Sequence, residues 1–266
     1  MSDIILSPEY ENLRNEIDKL HKDLTALIME KDELVYHICP SIESDYMLKI
    51  GTLEYKAFEF QCKILRLKRK IELIQQKFNR QEAVILPLIE EQLDKEYTEY
   101  EVKLKEKLNS LNDAIAYSQG IDLSAEDVKE LKRIYRKIVK RLHPDMNPDI
   151  TETEHKLFLN AVAAYKNGDL KTLKSLEILL DEISDEIEDY SSIEYLKDKR
   201  EALKKHIDSL LSYIEKIKKS FPYNQKEFLQ DDEKVARKQA EINNIIEQYK
   251  EMYKHYEEKL NALLGN

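Results

Sequence analysis

Apolar residues recur at alternating steps of three and four along most of the chain. Between Tyr10 and Ile38 they fall at Tyr10, Leu13, Ile17, Leu20, Leu24, Leu27, Leu34 and Ile38, with Lys31 as the one break. A heptad seam of this kind predicts a long helix that buries one face against another helix. Cys39-Pro40-Ser41 is expected to end it, because the residue before a proline is pushed out of the helical region. A second seam runs through Tyr46, Ile50, Leu53, Ala57, Phe60, Ile64, Leu67, Ile71, Ile74 and Phe78 without a polar intruder. The period is lost from Asn79 to Pro87, then a third stripe follows at Leu93, Tyr97, Tyr100, Leu104, Leu108, Leu111 and Ile115 and ends at Gly120. The short break between the second and third seams favours antiparallel neighbours. Residues 1–119 are therefore expected to form a long helical hairpin with the first helix laid against it.

The end of the chain repeats that plan. A seam from Ile193 through Leu196, Leu203, Ile207, Leu210, Ile214, Ile217 and Phe221, interrupted at Arg200, meets a turn at Pro222-Tyr223-Asn224. A return seam follows at Val235, Ile242, Ile246, Tyr249, Tyr253, Tyr256, Leu260 and Leu263. Residues 183–266 are expected to form a second antiparallel coiled-coil hairpin. The stripes read as seams that bury helix faces, not as cofactor or catalytic sites. Period alone leaves open whether they close within one chain or across a dimer.

Composition sharpens the fold class. Four glycines and six prolines in 266 residues are too few for the frequent turns of sandwiches and barrels, so an all-α fold is expected. Charged residues make up 36% of the chain, and 53 acids against 43 bases give a net charge of −10, which disfavours a phosphate-coating, nucleic-acid-binding role. No apolar run approaches a membrane span, and the start MSDIILSPEYENLRNE lacks a basic leader region, so a cytoplasmic protein is expected. Cys39 and Cys62 have no CxxC or His-rich companions, and neither a disulfide nor a metal site is indicated. No Gly-rich phosphate loop, HExxH or nucleophile signature is present and the six histidines are scattered, so neither an enzyme nor a cofactor is expected.

Between Gly120 and about Leu180 the heptads give way to shorter helices, and residues 120–182 read as a separate central module. Ser124 is placed as the N-cap of a helix with Asp127 at the capping-box position, and Pro144 stops that helix after Leu142. Lys129, Lys132, Arg133, Arg136, Lys137 and Lys140 line one face; Val128, Leu131, Tyr135, Ile138 and Leu142 line the other. Positions 129 to 143 hold seven bases and one acid, a local charge of +6 on an acidic chain. Such a stripe is suited to docking on something acidic. His143-Pro144-Asp145-Met146-Asn147-Pro148-Asp149 forms a stiff loop. A second helix follows, with Thr151 and Glu154 as its capping pair, Phe158, Val162 and Tyr165 as its apolar face, and Asn167-Gly168 as its stop. Asp169 then caps a further helix carrying Leu170, Leu173, Leu176 and Leu180.

The run AEDVKELKRIYRKIVKRLHPDMNPD, followed by FLNAVAAYKNGD, resembles the J-domain of Hsp70 co-chaperones: a basic helix with a Tyr-Arg-Lys centre, a His-Pro-Asp loop, and a helix with Phe and an Ala-Tyr pair. The resemblance covers about 60 residues and implies a partner, a DnaK-like Hsp70, whose ATPase the chain would stimulate. It implies that Lys132, Arg133, Arg136, Lys137 and Lys140 dock on an acidic Hsp70 surface, that His143, Pro144 and Asp145 trigger hydrolysis, and that Tyr135, Ile138, Leu142, Phe158, Ala164 and Tyr165 form the module's core. The family's first helix is not recognisable before Gly120, and residues 112–117 are expected to stand in for it. Met146 occupies a place that is usually basic, and Ala161 one that is usually larger. The arms would recruit an unknown client. A reading from a different class is a helical scaffold that carries a non-stimulating J-like module.

Overall fold

The computed structural model describes residues 8–120, 123–182 and 192–265. Residues 1–7, which include the start of the segment read for a leader, and residues 183–191, at the expected boundary of the C-terminal hairpin, lie outside the described residues. Among the described residues the fold is all-α, with no strand. In chain order the helices are α1 (Pro8–Glu33), α2 (Cys39–Tyr46), α3 (Thr52–Asn79), α4 (Leu86–Ser118), α5 (Ala125–Leu142), α6 (Glu152–Lys166), α7 (Leu170–Glu182), α8 (Ile193–Lys219), α9 (Lys226–Leu229) and α10 (Asp232–Leu264).

Helix ends follow local chemistry. Ser192 caps α8 by accepting from Tyr195 N–H, and Asp231 caps α10 by accepting from Lys234 N–H. Gly265, at φ +80, closes α10 in the left-handed conformation that glycine adopts without penalty. The expectation that Cys39-Pro40 breaks the first seam is corrected. Cys39 keeps helical angles (φ −63, ψ −46) and Pro40 is the second residue of α2. The wider π-helical turn at Leu34–Ile38, just ahead, makes room near the carbonyl that a proline ring would otherwise strike. A second π turn occupies Met47–Gly51. Neither turn has a signature in a stripe read only for period.

The helices form two compact units, each assembled from two separate stretches of chain. One contains residues 1–39 and 120–223, the other residues 40–119 and 224–266. The expected division into 1–119, 120–182 and 183–266 is therefore corrected, because α1 pairs with α8 and α3 with α10, far along the chain, although α3 also pairs with its neighbour α4. In the first unit α1 packs along α8. Glu9 pairs with Lys197 at 2.8 Å, Glu16 with Lys204 at 2.8 Å, and Glu30 with Lys218, each partner 188 residues further on. Early residues meet early residues and late meet late, so this pair is parallel. Arg200, the polar break in its seam, pairs with Glu16 and Glu201 and stays at the edge of the interface.

The second unit has the same logic. α10 packs along α3. Gln239 Nε2 donates to Lys49 O at 2.9 Å near the start, and Lys68 lies 4.9 Å from the Tyr256 ring centroid further along, again a parallel pair. The C-terminal antiparallel hairpin of α8 and α10 is not what these contacts describe. The α3–α4 hairpin expected from the second and third seams is present and antiparallel. Ser44 Oγ of α2, just ahead of α3, donates to Ala114 O at 2.7 Å at one end, and Arg66 of α3 bonds Glu90 and Asp94 at 2.7 and 2.6 Å nearer the other. Leu73, Ile74, Ile89 and Leu93 form the core there, with Leu260, Leu263 and Leu264 against it.

The central module lies in the first unit. α5, α6 and α7 pack on one another and α5 on α1, around Leu24, Ile28, Ile134, Tyr135, Ile138, Val139, Phe158, Ala161, Tyr165 and Leu173. α5 buries a wider face than its sequence stripe suggested, adding Ile134 and Val139, because it is sandwiched between α1 and the α6–α7 pair. The expectation that residues 112–117 stand in for the family's first helix is corrected: they belong to α4 in the other unit, and α1 is the helix that covers α5.

Candidate functional site

The loop joining α5 to α6 is held from both sides. Ser124 caps the start of α5 by accepting from Asp127 N–H at 3.1 Å. At the other end, Asn147 Nδ2 donates to the carbonyls of Lys140 and Arg141 at 3.2 and 2.6 Å, satisfying groups that a helix C-terminus leaves open. Thr151 and Glu154 form the reciprocal capping box that starts α6. Gly168, at φ +67, lets the chain turn into α7, whose first turn is held by Asp169 accepting from Thr172 N–H at 3.0 Å.

His143, Pro144 and Asp145 are brought together at this loop, but they do different things. His143 has extended backbone (φ −71, ψ 128), is buried, and lays its ring against Phe158 with centroids 5.0 Å apart. Its Nδ1 accepts from Asp145 N–H at 3.1 Å, so the imidazole braces the backbone of the next functional residue. The Asp145 carboxylate lies 4.0 Å from that nitrogen and is half exposed. Met146, at the usually basic place, is buried with its sulfur 3.3 Å from the Thr25 hydroxyl of α1, which donates to the His21 carbonyl at 2.7 Å. It fastens the loop to α1 instead of presenting a charge.

The expected core residues Tyr135, Ile138, Leu142, Phe158, Ala164 and Tyr165 are all buried. The rings of Tyr135 and Tyr165 stack at 4.0 Å with planes 5° apart, and Ala161 and Ala164, on the same helix as Tyr165, are buried in the same core. Both hydroxyls point into α1. Tyr135 donates to Asp32 Oδ2 and Tyr165 to Glu33 Oε2, each at 2.7 Å. Burial together with these carboxylates pushes both phenols far up, so both stay protonated donors. Asp32 Oδ1 lies 2.7 Å from Lys31 Nζ, an ion pair off the hydrogen-bond direction. Burial opposes ionisation of Glu33, but Lys132 and Tyr165 outweigh it and hold its carboxyl below the usual range.

The basic face does not survive as one open surface. At 3.6 residues per turn, Lys129, Arg136 and Lys140 lie along its centre line, with Lys132 on one flank and Arg133 and Lys137 towards the other. The centre-line residues are exposed. Lys132 pairs with Glu33 of α1 at 2.8 Å. Arg133 and Lys137 share Glu177 of α7 at 2.9 and 3.2 Å, and Arg133 also bonds Glu130 at 2.8 Å. Sequence reasoning missed Asp32, Glu33 and Glu177. A signal for the first two was present: the one break in the first seam, Lys31, stands immediately before them.

Burial pushes the His143 imidazole down from its ordinary value of 6.5, with Lys31 and His206 acting with it and Asp145 and Asp32 against it. Burial lowers His37 too, assisted by Lys132 and opposed by Glu33. A group lowered on folding binds its proton more readily in the unfolded chain. Its stabilising effect is therefore complete above about pH 6.5 and is lost as the pH falls below that value. The melting temperature is expected to be level from pH 8 to 7 and to drop between pH 6.5 and 5.5, above the range in which the carboxylates titrate. A melting temperature that holds or rises over that lower interval, measured by circular dichroism, contradicts a neutral buried His143 and a neutral half-buried His37.

An open cleft of about 680 Å³ lined by Leu123, Asp127, Asp169, Lys174 and Ile178 lies by the start of α5, a helix length from the loop, and has no part in this site. Among the described residues no group of three or more His, Cys, Asp or Glu could hold a metal ion, and no helix is long and apolar enough to cross a membrane. No family model, curated protein or solved structure matches the chain.

Proposed function

We infer that the chain is a cytoplasmic Hsp70 co-chaperone that stimulates the ATPase of a DnaK-like partner through Asp145 and the basic face of α5, with its long helix pairs available for a client. The observation that carries this reading is the division of labour in the loop. His143 is buried and braces the backbone, while Asp145 is held outward beside the C-terminal end of the Lys129–Arg136–Lys140 line. A local basic line on an acidic chain steers an acidic partner into one orientation. A rigidly presented carboxylate can then make a charge-assisted contact with a partner arginine.

The test is single-turnover ATP hydrolysis by an Hsp70 from the same cell, with the full chain added. Acceleration that saturates with concentration is expected. A rate unchanged at saturating chain removes the co-chaperone reading and leaves the second one, a helical scaffold with a non-stimulating J-like module. That alternative has one observation in its favour: Lys132, Arg133 and Lys137 are already engaged by carboxylates of the same chain.

A further inference from the structure

The engagement of Arg133 and Lys137 is specific in its geometry. Arg133 Nη1 and Nη2 donate to the two oxygens of Glu177 at 3.0 and 2.9 Å, a parallel fork. On its other edge, Nε and Nη2 donate to the two oxygens of Glu130 at 2.8 and 2.9 Å. A guanidinium has five N–H donors, and these four bonds occupy both of the edges that a carboxylate can grip in two-point fashion. A partner carboxylate therefore finds no such edge on Arg133 unless one of the two acids leaves.

Glu177 is placed to be the one that counts. Its side chain is only 16% exposed and it also takes Lys137 at 3.2 Å, so one carboxylate serves two of the expected docking bases. Leu173 and Leu180, one turn on either side, are buried in the module core and pin α7 beneath it. The hydrogen bond from Arg133 dominates in holding the Glu177 carboxyl below the usual range, against a desolvation cost. Glu130, by contrast, is on α5 itself and moves with the helix it would block.

We propose that Glu177 of α7 is an intramolecular competitor for the basic face of α5, standing where a carboxylate of an acidic protein partner would stand, so that full docking requires its displacement. Lys129, Arg136 and Lys140 make the first, long-range encounter; Arg133 and Lys137 are surrendered only to a partner acidic enough to outcompete α7. The partner's identity as an Hsp70 rests on the reading above, but the competition itself does not.

The test uses the full chain and a fluorescein-labelled deca-glutamate peptide, with binding followed by anisotropy at low ionic strength. Glu177→Gln is expected to bind the peptide about three- to tenfold more tightly than the wild type, as expected for loss of part-exposed ion pairs. Glu177→Asp keeps the net charge but shortens the reach to α5, and is expected to tighten binding by a smaller factor, which guards against misfolding of the first variant. Glu152→Gln removes the same charge from an exposed i,i+4 pair with Lys156 and is expected to change nothing. The gap between Glu177→Gln and wild type should close at about 0.5 M salt. Equal affinities, absence of binding by every chain, or equal tightening by Glu152→Gln overturns the proposal. The ATPase assay separates the two ideas: tighter peptide binding without any acceleration of Hsp70 keeps the competitor and removes the co-chaperone, whereas acceleration with no difference in peptide affinity does the reverse.

Discussion

Asp145→Asn is expected to return single-turnover ATP hydrolysis by the proposed Hsp70 partner to its unstimulated rate while the thermal unfolding curve of the chain stays where it was. The two halves of that result come from different atoms. What the loop needs from this residue is its backbone N–H, which bonds His143 Nδ1 and is unchanged by the substitution. The carboxylate is half exposed and 4.0 Å from that nitrogen, so a neutral amide of the same shape should cost less than about 0.5 kcal/mol of stability. In the proposed docking, what a partner arginine would meet is the charge. A charge-assisted hydrogen bond is worth roughly 1.5–3 kcal/mol, about ten- to a hundredfold in a rate that depends on it. Retention of half the wild-type acceleration would place the trigger elsewhere, and a lowered melting temperature would mean that the carboxylate also holds the loop.

Tyr135→Ala is expected to be the most destabilising single change in the central module, by about 3–5 kcal/mol, because it removes a fully buried ring and leaves a cavity against Tyr165. Tyr135→Phe separates the contributions. The stacked ring stays, but Asp32, itself buried and off-axis to Lys31, loses a hydrogen bond at 2.7 Å. That loss should cost about 1–3 kcal/mol. Urea unfolding followed by circular dichroism reads both. If Tyr135→Ala costs under about 1 kcal/mol, α1, α5 and α6 do not share the core described; if Tyr135→Phe costs nothing, the Asp32 contact is idle.

Much of the central module was legible in the sequence because its determinants are local. Ser124, Thr151 with Glu154, Gly168 and Asp169 each act on backbone groups within four residues, so their spacing was enough to mark the ends of α5, α6 and α7. The all-α class and the α3–α4 hairpin followed from stripes and a short connection. What the stripes could not carry was their choice of partner. An apolar seam on α1 is equally satisfied by α3, α8 or a second chain, and the ion pairs that accompany its packing on α8, Glu9, Glu16 and Glu30 with Lys197, Lys204 and Lys218, span 188 residues. The ion pairs on the basic face of α5 were not legible for the same reason. Its own residues are contiguous, whereas the carboxylates that engage it come from Glu33 and Glu177.

The parallel pairing of α1 with α8, and of α3 with α10, has a consequence during synthesis. A ribosome adds roughly 5–20 residues per second, so an N-terminal residue waits roughly 10–40 s for a partner 188 positions behind it to be made. Meanwhile the α3–α4 hairpin and the α5–α6 pair can close on neighbours already present, but the seam of α1 from Leu13 to Ile28 has no α8 to cover it. A chain proposed to serve an Hsp70 would thus pass through a stage in which α5 is already present beside Leu24 and Ile28 but the part of the α1 stripe that α8 covers is still open.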